Sequence, residues 1–346
     1  MTQNPQILPA KQSKPSNEPK TLQQAIVHFA DPDNCVAYLV ARRWPDGIVK
    51  CPTCGREDVR YVAKRRVWQC KTRHAKCQFS VKVGTIMEDS PIGLDKWLAA
   101  MWMLANCRNG VSSYEIARTI GITQKSAWHM LHRIRRAMES PEAAKMGSVE
   151  GGEVEVDEAY VGAKTKNMHY SRRLKLQQEQ NNTPAWKSTQ RYMGKTPIMG
   201  MFDRTSREVR AKVVPNTRRD TLQREILNGI HFGSRIYTDQ AVAHDTLKAK
   251  YIHETVNHMD TYVRGSVHTN CLENFWSLMK RNLAGTYVAV EPFHLDRYLS
   301  EQMFRFNNRQ NKSDSQRLDA AVKQVTGRRL TYAELTGKTA EARGTF

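Results

Sequence analysis

The stretch His268-Thr269-Asn270-Cys271-Leu272-Glu273-Asn274-Phe275-Trp276-Ser277-Leu278-Met279-Lys280-Arg281 has two clean faces at helical period. Leu272, Phe275, Trp276, Met279 and Leu283 recur at i, i+3, i+4, i+7 and i+11 and form one apolar stripe. Asn270, Glu273, Ser277 and Lys280 lie opposite. Glu273 and Lys280 are seven residues apart, so they drift only ~20° around an ideal helix. The spacing predicts a helix with a carboxylate and an ammonium two turns apart above an aromatic ridge. An ordinary amphipathic helix has the same pattern, so the rest of the chain decides what this one does.

Upstream, Glu153-Val154-Glu155-Val156-Asp157-Glu158-Ala159-Tyr160-Val161 alternates and reads as a strand, with Asp157 on the face of Glu153 and Glu155 and Glu158 on the other. Pro197 to Phe202 and Glu208 to Val214 read as an antiparallel pair turning at Asp203-Arg204-Thr205-Ser206. A helix from Thr217 to Leu227 follows. Arg235-Ile236-Tyr237-Thr238-Asp239 reads as a strand ending on an acid. A helix from Val242 to Tyr251 and a short strand from Ile252 to Val256 lead into the opening stretch, and a long helix from Pro292 to Asn308 succeeds it. Strand, hairpin, helix, strand, helix, strand, helix predicts a mixed α/β sheet with flanking helices. Such a sheet can bring Asp157, Asp239 and Glu273 to one site. Carboxylates from separate elements are the hard oxygen ligands that a pair of divalent cations needs.

Between the first strand and the hairpin, residues 164–195 are basic and polar. Lys164, Lys166, Arg172, Arg173, Lys175, Lys187, Arg191 and Lys195 stand against Glu179 alone. With Asn181-Asn182-Thr183-Pro184 inside, this reads as a long flexible insertion, too long for an idle connection.

The N-terminal half carries a different chemistry. Cys51-Pro52-Thr53-Cys54-Gly55 is a C-x2-C knuckle, and Trp68-Gln69-Cys70-Lys71-Thr72-Arg73-His74-Ala75-Lys76-Cys77 supplies a second, irregular one. The spacing suits one tetrahedral zinc ion held by Cys51, Cys54, Cys70 and a fourth donor. His74, at C-x3-H, is the preferred fourth ligand; Cys77, at C-x6-C, is the alternative. The short β-branched and aromatic runs around the knuckles suit a zinc ribbon. Leu94, Trp97, Leu98, Met101, Trp102 and Ala105 then mark a helix. Ser112-Ser113 can cap a second, Tyr114 to Ile120. Gly121-Ile122 makes a tight turn, and a third helix from Thr123 turns Ala127, Met130, Leu131, Ile134 and Met138 inward. That is a helix-turn-helix pattern. Its last helix is expected to expose Gln124, Lys125, His129, Arg133 and Arg136 toward a major groove.

Composition bounds the partner. The 346 residues hold 54 Lys+Arg against 34 Asp+Glu, a formal charge of +20. That balance favours a polyanion, since each neutralised phosphate releases condensed counterions. Nucleic acid is the reading; no segment has the amphipathic pattern of a membrane-surface helix. The most apolar run, Trp97 to Ala105, is too short to span a bilayer, and no signal-peptide pattern opens the chain. A cytoplasmic protein is expected. The domains expected are a disordered lead-in over 1–20, a zinc ribbon with a helical preface over 21–90, the helix-turn-helix domain over 91–147, the α/β domain over 148–312 and a tail over 313–346.

As a set, several motifs resemble the bacterial insertion-sequence transposases of the three-acid (DDE) type. These join an N-terminal zinc ribbon to a ribonuclease-H-like catalytic domain. The motifs are CPTCG (51–55), WQC (68–70), FSVKVGTIMEDSPIGLDKW (79–97), EVDEAYVG (155–162), YTDQ (237–240), HTNCLENFWSLMKR (268–281), GTY (285–287) and HLDRYLSEQMFRFNNR (294–309). They run in the family's order over roughly residues 30 to 310. The resemblance implies that Asp157, Asp239 and Glu273 hold catalytic Mg2+ or Mn2+, beside the structural Zn2+. Some relatives use an asparagine near the third acid, and Asn270 lies one turn before Glu273. Lys280 matches a basic residue set against the element's terminal DNA. The implied activity is cleavage at the element ends and joining of the freed 3′-hydroxyl to target DNA. The implied partners are double-stranded DNA, as terminal inverted repeats and target, and further copies of the chain assembled on it. A nuclease or resolvase on the same fold, which cuts without joining, and a DNA-binding regulator using only the ribbon and helix-turn-helix are the alternatives. The sequence departs from the family at the second zinc knuckle.

Overall fold

A computed structural model describes residues 19–140, 144–162, 168–181, 194–239, 250–256 and 268–338. They form two compact units, one from Met1–Glu139 with Asn308–Phe346 and one from Ser140–Asn307. The expected lead-in falls almost wholly outside the described residues, and so do residues 242–249 of the expected helix before Tyr251.

The first unit opens with two helices, α1 (Leu22–Phe29) and α2 (Pro32–Arg43). Thr21 and Gln24 cap α1 reciprocally, and Asp31 with Pro32 starts α2. A three-stranded antiparallel sheet follows, β1 (Val59–Val62), β2 (Val67–Cys70) and β3 (Gln78–Phe79). Arg66, at φ 52°, closes the β1–β2 turn. The register sets Tyr61, Trp68 and Phe79 in one row, and the Trp68 and Phe79 rings stack at 5.9 Å. Trp44 closes on Trp68 at 6.0 Å, so the end of α2 covers this inner row.

Three helices complete the N-terminal part: α3 (Leu94–Asn106), α4 (Ser113–Ile120) and α5 (Gln124–Met138). Helix α3 buries Trp97, Leu98, Met101, Trp102 and Leu104. Ser112 and Glu115 form a capping box on α4, and Gly121 ends it at φ 63°, a left-handed conformation that glycine adopts without strain. Thr123 then caps α5.

The second unit is a five-stranded mixed sheet. Its elements are β4 (Glu153–Val161), α6 (Tyr170–Asn181), β5 (Thr196–Asp203), β6 (Glu208–Val213), α7 (Arg219–Gly229), β7 (Arg235–Asp239), β8 (Ile252–Val256), α8 (Asn270–Asn282) and α9 (Leu295–Asn307). The sheet order is β6-β5-β4-β7-β8. Strands β4, β5 and β6 pair antiparallel, and β7 and β8 run parallel to β4. This order, with one strand reversed, is the topology of the ribonuclease-H-like fold. One face buries Leu272, Phe275, Trp276 and Met279 of α8 and Leu299 and Phe306 of α9 against Ala159, Ile198 and Phe202. The other buries Leu222 and Ile226 of α7 against Val154, Val156 and Ile236.

The expected flexible insertion requires a correction. Within it, Tyr170–Asn181 forms α6. The run Leu174-Lys175-Leu176-Gln177-Gln178 consists of good helix formers, a preference that the charge count conceals. Residues 163–167 and 182–193 of that segment lie outside the described residues.

The tail returns to the first unit. Helix α10 (Asp314–Val322) packs on α3, and α11 (Tyr332–Leu335) packs on α5. Leu318, Ala321, Val322, Leu330 and Leu335 are all buried. The sequence pattern leaves the tail as a separate, weakly helical piece; its apolar residues complete the first unit instead. Among the described residues, no helix is long and apolar enough to cross a membrane.

Candidate functional site

The two cysteine knuckles meet at one point. Cys51, Cys54, Cys70 and His74 place their ligand atoms within 4.8 Å of one another. Cys51 Sγ lies 3.5 Å from His74 Nε2, and Cys54 Sγ lies 3.7 Å from Cys70 Sγ. Ligands about 2.3 Å (sulfur) and about 2.0 Å (nitrogen) from one tetrahedral centre stand roughly 3.5–3.8 Å apart, so the four atoms fit Zn2+. His74 Nδ1 donates to the Ala75 carbonyl at 2.7 Å, which leaves Nε2 as the ligand nitrogen. Cys77, the alternative donor, is outside the cluster; its carbonyl accepts from the Cys70 amide at 2.8 Å and so continues the sheet.

The acidic residues sit on a built platform in the second unit. Asp157 is on β4, opposite Gly200 of β5. Asp239 is the last residue of β7. The β4–β7 register pairs Val156 with Thr238, so position 239 comes next, beside Asp157. The side chain of Asp239 lies outside those described. Glu273, Asn270 and Lys280 are exposed on α8, which packs on β4 and β5. Asp157 Oδ1 accepts from the Glu158 amide at 2.9 Å, and Oδ2 accepts from Trp276 Nε1 at 3.0 Å. Gly200 makes that second bond sterically feasible. A Cβ there would stand 2.5 Å from Trp276 Cζ2 and 3.1 Å from Leu272 Cδ2.

Sequence reasoning passed over Glu155. It shares the Asp157 face and is fully buried. One of its carboxylate oxygens accepts from the amides of Cys271 and Leu272, at 3.1 and 3.2 Å. It thus caps the start of α8 from the neighbouring strand, where Thr269 makes no side-chain cap of its own. Arg204 Nε donates to the other oxygen at 2.8 Å, and the same guanidinium reaches Glu153 at 3.2 Å and the His268 carbonyl at 2.7 Å. Its carbon lies 4.2 Å from the centre of the Tyr237 ring. Burial, and then the Glu155 charge, push the Cys271 thiol pKa up. The signal was present in the sequence: an acid two residues before Asp157 on the same strand face, where the flanking valines announce burial.

The far end of α8 is fixed as well. Leu283–Tyr287 continues it as a π-helical turn, a feature frequent at functional sites. Asn282 donates to Gln302 at 2.5 Å, and Tyr287 donates to Glu301, which pairs with Arg305 of α9.

The expected nucleic-acid face on α5 needs correction. Arg133 is 6% exposed and donates to the Glu88 carbonyl at 2.5 Å. His129 is half-buried, with Nε2 3.4 Å from the Leu330 carbonyl and its ring 5.5 Å from that of Tyr332. Gln124 donates to Ser113 at 2.9 Å. Lys125 is exposed, its ammonium 4.9 Å above the Tyr332 ring, and Arg136 is exposed and paired with Glu139 at 2.7 Å. For His129 and Lys125 the cause is the tail. Leu330, Tyr332 and Leu335 lie over the helix face that a local pattern shows as polar. Arg328 donates to the carbonyls of Arg136 and Ala137, both at 3.1 Å, a cation on the last turn of α5.

Comparison with known proteins follows these boundaries. Residues 150–307 match the family described as ISXO2-like transposase domain, and residues 30–78 match the transposase zinc-ribbon domain. A protein in transposable element ISH50 of Halobacterium salinarum is 30% identical over 258 residues, covering 70% of this chain and 80% of that one. A transposase-like protein of Haemophilus influenzae is 32% identical over 112 residues, covering 32% of this chain and 90% of that one. Among solved structures, a chain of the simian T-cell lymphotropic virus intasome in complex with PP2A regulatory subunit B56 gamma is 12% identical at a TM-score of 0.27. That match covers 63% of this chain and 74% of the other.

Proposed function

The chain belongs to the ISXO2-like transposases, and from that premise we propose that it cuts DNA at insertion-sequence ends and joins the freed 3′-hydroxyl to target DNA. Asp157, Asp239 and Glu273 are the proposed metal-binding acids, with Mg2+ or Mn2+ as the cation. Divalent cations bound there would polarise the scissile phosphate and stabilise the leaving oxygen.

The observation that carries the reading is how firmly the chain holds these positions. Trp276 orients the Asp157 carboxylate through Oδ2, and the parallel register sets position 239 beside it. Glu155 pins the start of α8 and so the first turn, which bears Glu273. Rigid elements of this kind preorganise a charged site before substrate arrives. Lys280, two turns further along α8, is proposed to meet a phosphate of the terminal DNA and to fix its register. Asn270 is one turn before Glu273 and is the alternative third ligand. The proposed partners are the terminal repeats, target duplex and further copies of the chain.

The test is a cleavage and strand-transfer assay on the terminal repeats that flank the coding region, with Mg2+ or Mn2+ supplied. Asp157→Asn, Asp239→Asn and Glu273→Gln should each abolish cutting and joining and keep duplex binding. Cutting without joining by the unaltered chain would make it a nuclease. Undiminished cutting by Asp157→Asn would overturn the assignment of the site.

A further inference from the structure

The zinc ribbon carries a charged surface for which the site above has no use. Between Cys51 and Cys77 the chain holds eight Lys/Arg and two Asp/Glu. Two of these cations pair with an acid, Arg66 with Asp33 and Lys71 with Asp58 at 2.7 Å; Lys50, just upstream, pairs with Glu57 at 3.2 Å. Arg56, Arg60, Lys64, Arg65, Arg73 and Lys76 are exposed, and none of them pairs with an acid among the described residues. Lys64 and Arg65 occupy the β1–β2 turn. Arg56, Arg73 and Lys76 occupy the knuckle loops at the zinc end.

The sheet between these two ends has an inner and an outer face. Tyr61, Trp68 and Phe79 fill the inner row, packed against Trp44. Strand alternation puts Arg60, Gln69 and Gln78, which the register aligns side by side, on the outer face. Arg60 and Gln78 are exposed, and Gln69 is half-buried. Neighbouring strands lie about 4.8 Å apart, so this row spans about 10 Å across the sheet. Arginine and glutamine are the side chains that make bidentate hydrogen bonds to guanine and adenine edges. Five further exposed cations without acidic partners among the described residues, at the two ends of such a row, are complementary to a polyphosphate.

We propose that the outer face of the ribbon sheet is a duplex-DNA contact surface, with Arg60, Gln69 and Gln78 turned to base edges and the turn and knuckle cations on phosphates. The proposal rests on the transposase reading only in taking DNA as the partner. It moves the main DNA contact of the first unit from α5, where Arg133 is buried, to the ribbon.

The experiment uses the full zinc-loaded chain and the anisotropy of a labelled duplex of arbitrary sequence over a range of salt. Lys64→Gln with Arg65→Gln should weaken binding and flatten the salt dependence by roughly two units of slope, about one for each lost phosphate contact. Lys71→Gln, which removes a cation already paired with Asp58, should leave the slope close to that of the unaltered chain. Arg60→Ala with Gln69→Ala should reduce the preference for the element's own terminal repeats over arbitrary duplex. Zinc content, measured on every variant, establishes that the ribbon is folded. Unchanged affinity and slope in the Lys64/Arg65 variant with zinc retained would overturn the proposal. An equal loss in Lys71→Gln, or tighter binding to a duplex RNA than to DNA, would also overturn it. Asp157→Asn separates the two readings: it tests cutting alone, so the ribbon can fail while the transposase assignment stands, or the reverse.

Discussion

The indole of Trp276 reaches across from α8 and donates a 3.0 Å hydrogen bond to Asp157 Oδ2 on β4. One bond ties the helix that carries Glu273 to the strand that carries the first acid. Trp276→Phe keeps most of the buried ring and removes the donor. It should cost about 1 kcal/mol of stability, yet lower cutting far more than that. Gly200→Ala should act by shape, since its Cβ would collide with the indole; overpacking of this kind costs about 1–3 kcal/mol. Urea melts beside a cleavage assay check both, and unaltered cutting in Trp276→Phe would free Asp157 from this partner.

Glu155→Gln should be the most destabilising conservative change in the second unit. It leaves the Arg204 guanidinium, 14% exposed, with Glu153 as its remaining counter-charge; breaking a buried pair from one side costs about 3–5 kcal/mol when no partner is left, and Glu153 should hold the loss to the lower end of that range. Glu155→Gln with Arg204→Gln should recover part of that loss. Denaturant unfolding of the four proteins of this double-mutant cycle gives the coupling. A purely additive double variant would show that the two side chains act independently.

His74→Ala should lower zinc content and ribbon stability more than Cys77→Ala, because only His74 belongs to the four-atom cluster. About one zinc per chain is expected for one tetrahedral site. Metal analysis and chelator titration check this. The opposite order would reassign the fourth ligand.

Lys125 and Arg133 should now separate. Arg133→Ala removes a buried cation whose Nη2 bonds the Glu88 carbonyl and whose guanidinium lies 5.4 Å from the Trp97 ring; its effect should be a lower Tm. Lys125→Ala should leave Tm nearly unchanged and lower the salt slope of DNA binding by about one unit. Equal Tm values for the two variants would return Arg133 to the surface.

The pKa of His129 is held below the ordinary histidine value, first by burial and then by the Arg133 charge, against a weaker pull from the Leu330 carbonyl. The unfolded chain therefore takes up this proton more readily than the folded one. The contribution to stability is whole above about pH 6.5, the unfolded value, and is lost as the pH falls from there through the folded pKa. The drop in Tm between about pH 7.5 and about pH 5.5 should shrink in His129→Asn. An identical drop in the variant would exclude His129 as its source.

Local pattern carried the sequence reading well where one element buries its own stripe. Leu272, Phe275, Trp276 and Met279 announce α8, and the alternation from Glu153 announces β4. The zinc spacing likewise converges on His74, because a metal imposes its own geometry on nearby residues. What the pattern missed depends on partners distant in sequence. Arg133 reads as outward because Lys125, His129 and Arg136 fall near it at helical spacing. It is buried because the Glu88 carbonyl and the Trp97 ring, both earlier in the chain, receive its guanidinium, while the tail, about two hundred residues later, meets His129 on the same helix. Glu155 reads as another charge beside Asp157. Its role as a cap depends on a helix more than a hundred residues away. Helix propensity over 174–178 was overshadowed by the basic charge around it.

The two pieces of the first unit are separated in the chain by the whole of the second. During synthesis the ribbon, α3 and α5 leave the ribosome early, while Leu318, Leu330 and Leu335 leave near the end. The nascent chain therefore holds a zinc site and an uncovered face of α3 and α5 until residues 140–307 have been made. A stop codon or frameshift just after Asn307 spares every residue of the second unit. It nevertheless removes the packing that completes the first, so a lesion late in the reading frame is felt first in the N-terminal unit.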